Sequence, residues 1–189
     1  MPEIDERLRA VTIGEQQVVD GPVELVEYDP DWPRLFDRES EQIRGALGGR
    51  ALLLEHAGST SVPGLAAKPI VDIVLAVADS ADEPAYVPPL EAVGYVLRIR
   101  EPDWYEHRAL KRAEPKVNLH VFSHGCEEIE RMLVFRDRLR SDAEDRALYE
   151  RTKRELAQRR WKYVQEYADA KSAVVEEILA RARVESRPA

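Results

Sequence analysis

The sequence predicts an α/β fold, in the α+β sense of a mixed sheet with helices, followed by an all-helical C-terminal part. Three observations carry this. Strand-like apolar runs alternate with helical segments up to Cys126. From Glu127 onward, apolar residues recur only at helical spacing. The charge changes at the same point: residues 1–126 hold 13 Lys and Arg against 22 Asp and Glu, and residues 127–189 hold 15 against 14. The 189 residues, 44% hydrophobic and 34% charged, suffice for one or two domains with a proper core. The expected division is an extension over 1–20, an α/β domain over 21–126, helices over 127–183 packed on it, and a tail over 184–189.

Residues 1–20 lack strong periodicity and are expected to lie on the domain or be partly disordered. Val23–Glu27 alternates like a short strand. Asp31 can cap a helix that has Pro33 in its first turn, carries Trp32, Leu35, Phe36, Ile43 and Leu47 on one face, and stops at Gly48-Gly49. Ala51–Glu55 reads as a buried strand ending in the small-residue loop His56–Gly64. Ile70–Val77 is the most strand-like run, apolar on both faces except at Asp72. A short helix is expected to begin near Pro88-Pro89. Tyr95–Arg100, Trp104–Lys111 and Val117–Phe122 are strand candidates separated by Pro-containing turns. Ile129, Met132, Leu133 and Leu139 mark one C-terminal helix. Asp142 or Asp145 can cap a second, through Leu148 and Leu156, and a third runs from about Gln165 to Arg183.

Several classes are disfavoured. The net charge is −8 with no basic stripe, which argues against an extended nucleic-acid surface. Cys126 is the single cysteine and excludes an internal disulfide framework or a Cys-based zinc site. Met1–Ala10 is charged, without the apolar core of a signal peptide. No run approaches about 18 consecutive apolar residues, so no membrane span is expected. A soluble, cytoplasmic protein is the expectation; its oligomeric state is left open.

Two polar residues interrupt apolar strands. Burying the Asp72 carboxylate costs several kcal/mol unless it is paired, hydrogen-bonded, metal-bound or protonated. It is either a strand-end residue capping a turn or part of a metal or proton site. Strand alternation puts His120 on one face with Asn118 and Phe122, either as a satisfied core histidine or as a partner of Asp72 across adjacent strands. The loop Gly58-Ser59-Thr60-Ser61 exposes backbone N–H groups and hydroxyls suited to phosphate, with Lys68 nearby, or is merely a tight turn. A polyphosphate in this acidic half is expected to need Mg²⁺ or Mn²⁺. A Ser59–His56–Asp72 triad is disfavoured, because the loop lacks the Gly-x-Ser-x-Gly frame and no helix dipole stands behind the serine.

The run Glu55-His56-Ala57-Gly58-Ser59-Thr60-Ser61-Val62-Pro63-Gly64, continuing through Lys68-Pro69-Ile70-Val71-Asp72-Ile73, resembles the signature of the GrpB family. Tyr28–Trp32, Asn118–Phe122, Phe135–Asp137 and Tyr167–Ser172 agree, so the resemblance covers roughly residues 23–182. It implies a polymerase-β-like nucleotidyltransferase fold with a helical C-terminal part. Gly58 and Ser59 match the phosphate-holding Gly-Ser pair, and Asp72 matches the first carboxylate of an Asp-x-Asp strand. The pattern departs at Val74, where the second carboxylate belongs, and at His120, where a later strand usually offers a third acid.

Two-metal transfer uses two or three carboxylates to hold ions about 3.5–4 Å apart. Asp72 with His120 offers a site for one. The expected set is therefore Asp72 and His120 as metal ligands and, with His56, as catalytic groups. Gly58, Ser59, Thr60, Lys68, His107, Arg108 and Lys171 are expected to contact or neutralise phosphate, the alternative for Arg108 and Lys171 being ordinary surface ion pairs. The leading expectation is transfer of a nucleotidyl group from a Mg-NTP to a small molecule or protein side chain. Its rival is a non-catalytic module for a nucleotide or a CoA-like metabolite, since family members also occur fused to dephospho-CoA kinase. Val74 favours the rival, and the polar cluster around Asp72 favours an enzyme. A protein-interaction scaffold built on the helical half has least support, because those helices carry ordinary solvated faces.

Overall fold

The strand over residues 71–77 is apolar on both faces because both are covered. In the computed structural model, which describes residues 2–16 and 18–185, the chain runs α1 (Pro2–Val11), β1 (Val18–Gly21), α2 (Trp32–Leu47), β2 (Leu53–Ala57), β3 (Val71–Val77), α3 (Glu83–Ala92), β4 (Val96–Glu101), β5 (His107–Arg112), β6 (Val117–Ser123), α4 (Glu127–Ser141), α5 (Ala143–Ala157), β7 (Trp161–Tyr163), α6 (Val164–Asp169) and α7 (Ser172–Glu185). Single 3-10 turns lie at Gly48–Arg50 and Ser59–Ser61.

The main sheet has the order β2-β3-β6-β5-β4, with β3 and β6 parallel and the other neighbours antiparallel. Val71, Ile73, Leu75 and Val77 face one layer, where Ile43 and Leu47 of α2 meet Tyr86 and Leu90 of α3. Val74 and Ala76 face the other, with Ala57, Phe122 and Ile129 of α4. Covering both faces explains the near-continuous apolar run of β3. Asp72 lies on the α4 side, at the strand's first turn of alternation. Helices α4, α5 and α7 share a cluster with the loop after β2, in which Val62 and Leu65 meet Leu139, Tyr149, Val174 and Ile178.

The architecture is the expected α+β one, with local corrections. Residues 2–16 and 18–20 lie on the domain, the first of the two alternatives, but with regular structure that their weak periodicity did not announce: α1 is followed by a bridge from Thr12 to Ile99 of β4, and β1 pairs antiparallel with β7. Val23–Glu27 is not a strand; only Val26 forms an isolated bridge, to Ala67. The α2 N-cap, Asp31, makes no side-chain cap, and Asp29 instead accepts the Asp31 N–H at 2.9 Å.

The helix expected to start at Pro88-Pro89 starts earlier and contains both prolines. Burial of Tyr86, Val87 and Leu90 outweighs the missing N–H groups. The strand expected from Trp104 starts at His107, because Tyr105 and Glu106 adopt φ of +54° and +49°, outside strand geometry. Asp142, not Asp145, caps α5, accepting the Asp145 N–H at 2.8 Å. The long last helix is split at Ala170-Lys171 into α6 and α7. α7 continues through residue 185, and 186–189 of the expected tail lie outside the described residues.

Leu75 has no exposed surface. Leu75→Ala is expected to destabilise the fold by about 2–5 kcal/mol, read as a lower denaturant midpoint with an unchanged slope.

Candidate functional site

The site is built where β2 turns away from the sheet. Gly58 leaves β2 with φ +65°, and a Cβ placed there would stand 2.3 Å from Asp72 Oδ2. The turn therefore closes on the carboxylate at a distance that only glycine permits. Asp72 pairs with Ala57 on one side and Asn118 on the other. Its side chain is 28% exposed. Asn118 Nδ2 donates to Asp72 Oδ1 at 2.8 Å, and His120 Nε2 lies 3.8 Å from the same oxygen.

Behind His120 runs a chain of imidazoles. His107 Nε2 is 3.1 Å from His120 Nδ1, and His107 Nδ1 is 2.7 Å from Glu101 Oε2. The carboxylate accepts, so His107 donates from Nδ1. A neutral His107 then accepts at Nε2 from the Nδ1–H of His120. This leaves His120 Nε2 turned toward Asp72, as a lone pair when the ring is neutral and as an N–H donor when it is charged. The two rings stack, with centroids 5.3 Å apart and 18° between planes. Burial opposes ionisation of Asp72, yet His120, the Asn118 amide and the Lys68 charge together hold its carboxyl below the usual range.

Three lysines complete the site. Lys153 of α5 is 2% exposed; its Nζ donates to Ser59 Oγ at 3.0 Å and to the Ala66 carbonyl. Lys171 and Lys68 approach the Tyr167 ring, with Nζ 4.6 and 5.8 Å from its centroid. Burial, then the Lys171 charge, pushes Lys153 down to about 7. Burial also lowers Lys68 and Lys171, while Asp72 acts in the opposite direction on both. The Tyr167 hydroxyl is buried with no hydrogen-bond partner among the described residues.

The structure thus brings together Gly58, Ser59, Lys68, Asp72, His107, His120 and Lys171. It does not bring in His56, Thr60 or Arg108. His56 pairs with Ile73 in the sheet and so faces the α2 layer, opposite Asp72. There it stacks on Phe36 at 5.0 Å and meets Thr60 Oγ1 at 3.1 Å. Burial pushes the His56 imidazole down to about 4. Arg108 alternates with His107 and faces away from it; it is 5% exposed, with Nε 2.5 Å from Glu83 of α3 and both terminal nitrogens 3.1 Å from Glu106.

Sequence reasoning missed two lysines. Lys111 lies four residues beyond His107, hence on the same strand face, and pairs with Asn118. Lys153 interrupts the buried stripe of Tyr149 and Leu156 on α5, a signal readable from helical spacing.

The donor set does not fit a pair of divalent ions. Asp72 is a lone carboxylate with an amide donating to it and lysines around it. Among the described residues no group of three or more His, Cys, Asp or Glu is placed to hold a metal.

Gly58→Ala is expected to cost roughly 2 kcal/mol or more from the left-handed backbone and the contact with Asp72, measured by denaturant unfolding. A second expectation concerns pH. His56 titrates near 6.5 when unfolded and near 4 when folded. The unfolded state therefore binds the proton first, and stability falls as pH drops from about 6.5 to about 4. His56→Gln should flatten the unfolding midpoint against pH across that window.

Comparison with known proteins gives the lineage. The family model described as GrpB protein matches residues 22–181. A UPF0157 protein of Halalkalibacterium halodurans is 60% identical over 181 residues, covering 96% of this chain and 93% of that one. A dephospho-CoA kinase of Mycolicibacterium paratuberculosis is 32% identical over 176 residues, 79% of this chain but only 43% of that protein. The crystal structure of conserved protein GrpB from Enterococcus faecalis superposes with a TM-score of 0.73 at 29% identity, covering 84% of this chain and 96% of that one. This match is consistent with the α+β, nucleotidyltransferase-like arrangement described above. Among the described residues no helix is long and apolar enough to cross a membrane. A family model spanning most of the chain and a 60%-identical relative of nearly the same extent make this chain a member of the GrpB family.

Proposed function

We propose that the chain binds a phosphorylated small molecule, of the nucleotide or CoA-like class, at the Gly58–Ser61 turn. The observation that supports this is the gathering of Lys68, Lys153 and Lys171 around Ser59, Tyr167 and a lone carboxylate. Three ammonium groups supply the positive charge that a metal pair supplies where several carboxylates are present. Backbone N–H groups of the turn and the Ser59 hydroxyl provide directional donors. The name of the dephospho-CoA kinase relative adds CoA precursors to the candidate ligands.

A second reading, nucleotidyl transfer, draws on the Glu101–His107–His120 chain. In that reaction an acceptor hydroxyl passes its proton to His120 Nε2 as its oxygen bonds the α-phosphorus. The bond to the leaving pyrophosphate breaks, and pyrophosphate carries away the electron pair. Glu101 and His107 hold the ring in the tautomer that accepts this proton.

Thermal-shift and calorimetric titration with ATP, dephospho-CoA and pyrophosphate, with and without Mg²⁺ or Mn²⁺, separates the readings. Under the binding reading, stabilisation occurs without metal, survives Asp72→Asn and falls in Lys171→Gln. Metal-dependent stabilisation by ATP that disappears in Asp72→Asn supports transfer instead. A melt unmoved by all three ligands overturns the phosphate reading of Gly58-Ser59. The binding reading also fixes a pH dependence. A bound phosphate raises the Lys153 pKa from about 7, so binding takes up protons and weakens as pH rises above that value.

A further inference from the structure

The turn that meets Lys153 through Ser59 has a second cationic neighbour. A cleft of about 580 Å³ opens between α2, β2 and the corner joining α4 to α5. Arg136, Arg140 and Arg146 line it, together with Pro33, Phe36 and Pro63. None of these residues belongs to the lysine site.

The three guanidinium groups differ in how far their donors are used. Arg136 is fully engaged, by Glu55 at 2.7 Å, the His56 carbonyl at 3.0 Å and Asp137 at 2.8 Å. Arg140 Nε donates to the Ser61 carbonyl at 3.0 Å and its Nη1 lies 3.4 Å from Asp137, but Nη2 has no hydrogen-bond partner among the described residues. Arg146 Nη1 caps the carbonyls of Leu139 and Arg140 at 3.0 and 3.3 Å, leaving Nε and Nη2 without a partner among the described residues. Three arginines face two carboxylates, Glu55 and Asp137, giving a net charge of +1 in a chain of net −8. Burial and the neighbouring Arg136 lower the Arg140 pKa, as an incompletely neutralised cation requires.

Beside the arginines, the lining joins a rigid apolar part, Pro33, Phe36 and Pro63, to the polar Tyr28, Glu55, His56 and Ser61. The Phe36 ring lies within 7° of parallel to His56, and Pro33 and Pro63 are rigid. The volume is that of a small-molecule site. A flat ring suits the apolar lining, and an anionic head suits the unused guanidinium nitrogens, which form a fork matched to phosphate or carboxylate.

We propose that this cleft is a second ligand site, taking a small anion that carries a flat ring, with its phosphate or carboxylate on Arg140 and Arg146 and its ring against Phe36 and Pro63.

The test is calorimetric titration with AMP, adenosine and benzoate against the full chain and four variants. Pro33→Glu adds a negative charge at an exposed first-turn position of α2, where Glu suits a helix. It should weaken binding of the anions about fivefold or more through like-charge repulsion. Arg140→Gln and Arg146→Gln should each weaken it about tenfold, the scale of one lost charged hydrogen bond. Lys171→Gln should leave this site intact. Adenosine, lacking the anion, should not bind. AMP binding without benzoate identifies a phosphate head, benzoate without AMP a carboxylate head, and both together either head. The proposal fails if AMP and benzoate both leave the protein unaffected. It also fails if Pro33→Glu, folded by circular dichroism, binds with unchanged affinity, or if Lys171→Gln alone abolishes all binding. In that last case the lysine site survives as the single anion site, whereas binding of ATP, dephospho-CoA and pyrophosphate that Lys171→Gln leaves unchanged removes the lysine reading and leaves the arginine one standing.

Discussion

The contact between the Gly58 backbone and the Asp72 carboxylate constrains everything around it. A carboxylate at the start of an otherwise apolar strand is stable only if its oxygens are engaged. Here Asn118 supplies a hydrogen bond, His120 an adjacent ring nitrogen and Lys68 a charge. The absence of a side chain at Gly58 lets the turn approach. That approach places Ser59 where Lys153 reaches it from α5, and the helical half thereby becomes part of the site. The change of composition at residue 126 is therefore a change of structural layer, with the lysines of the second part completing a pocket begun by the first.

The same contact resolves an apparent conflict in the electrostatics. The first two-thirds of the chain is acidic, which suits an anionic ligand poorly. The acidic residues near the site, however, are already committed: Glu101 to His107 and Asp72 to Asn118. Lys153 is buried and Lys68 and Lys171 are half-buried, and all three are less easily charged than in water. Their positive charge is costly in isolation, and an anion that accepts their hydrogen bonds removes that cost. Net charge consequently describes the surface as a whole and says little about a pocket a few ångströms across.

Strand parity explains which candidate side chains share a face of the sheet. His107, Lys111, Asn118, His120 and Asp72 share one face because alternation and register together put them there. The same rule sends Arg108 and His56 to the opposite face, although their types and their nearness in sequence suit the site equally well. Parity was legible for each strand by itself. The relation between strands was not, since it depends on β6 lying parallel to β3 and antiparallel to β5.

Helices beyond Glu127, the strand over residues 71–77, the glycine after β2 and the family signature were all written in local spacing and residue type. These follow from side-chain periodicity and backbone preference, which act over a few residues. The contact of Lys153 with Ser59, the split of the last helix, the pairing of β1 with β7 and the histidine chain back to Glu101 were decided by packing. Each brings together residues distant in the chain or separated by a turn, and depends on what a neighbouring layer covers or leaves open. The opening contrast between an acidic α/β part and a neutral helical part came from the sequence alone. Only the tertiary structure showed that the two parts meet at Ser59, because burying Tyr149, Val62 and Leu65 in one cluster draws α5 onto the turn.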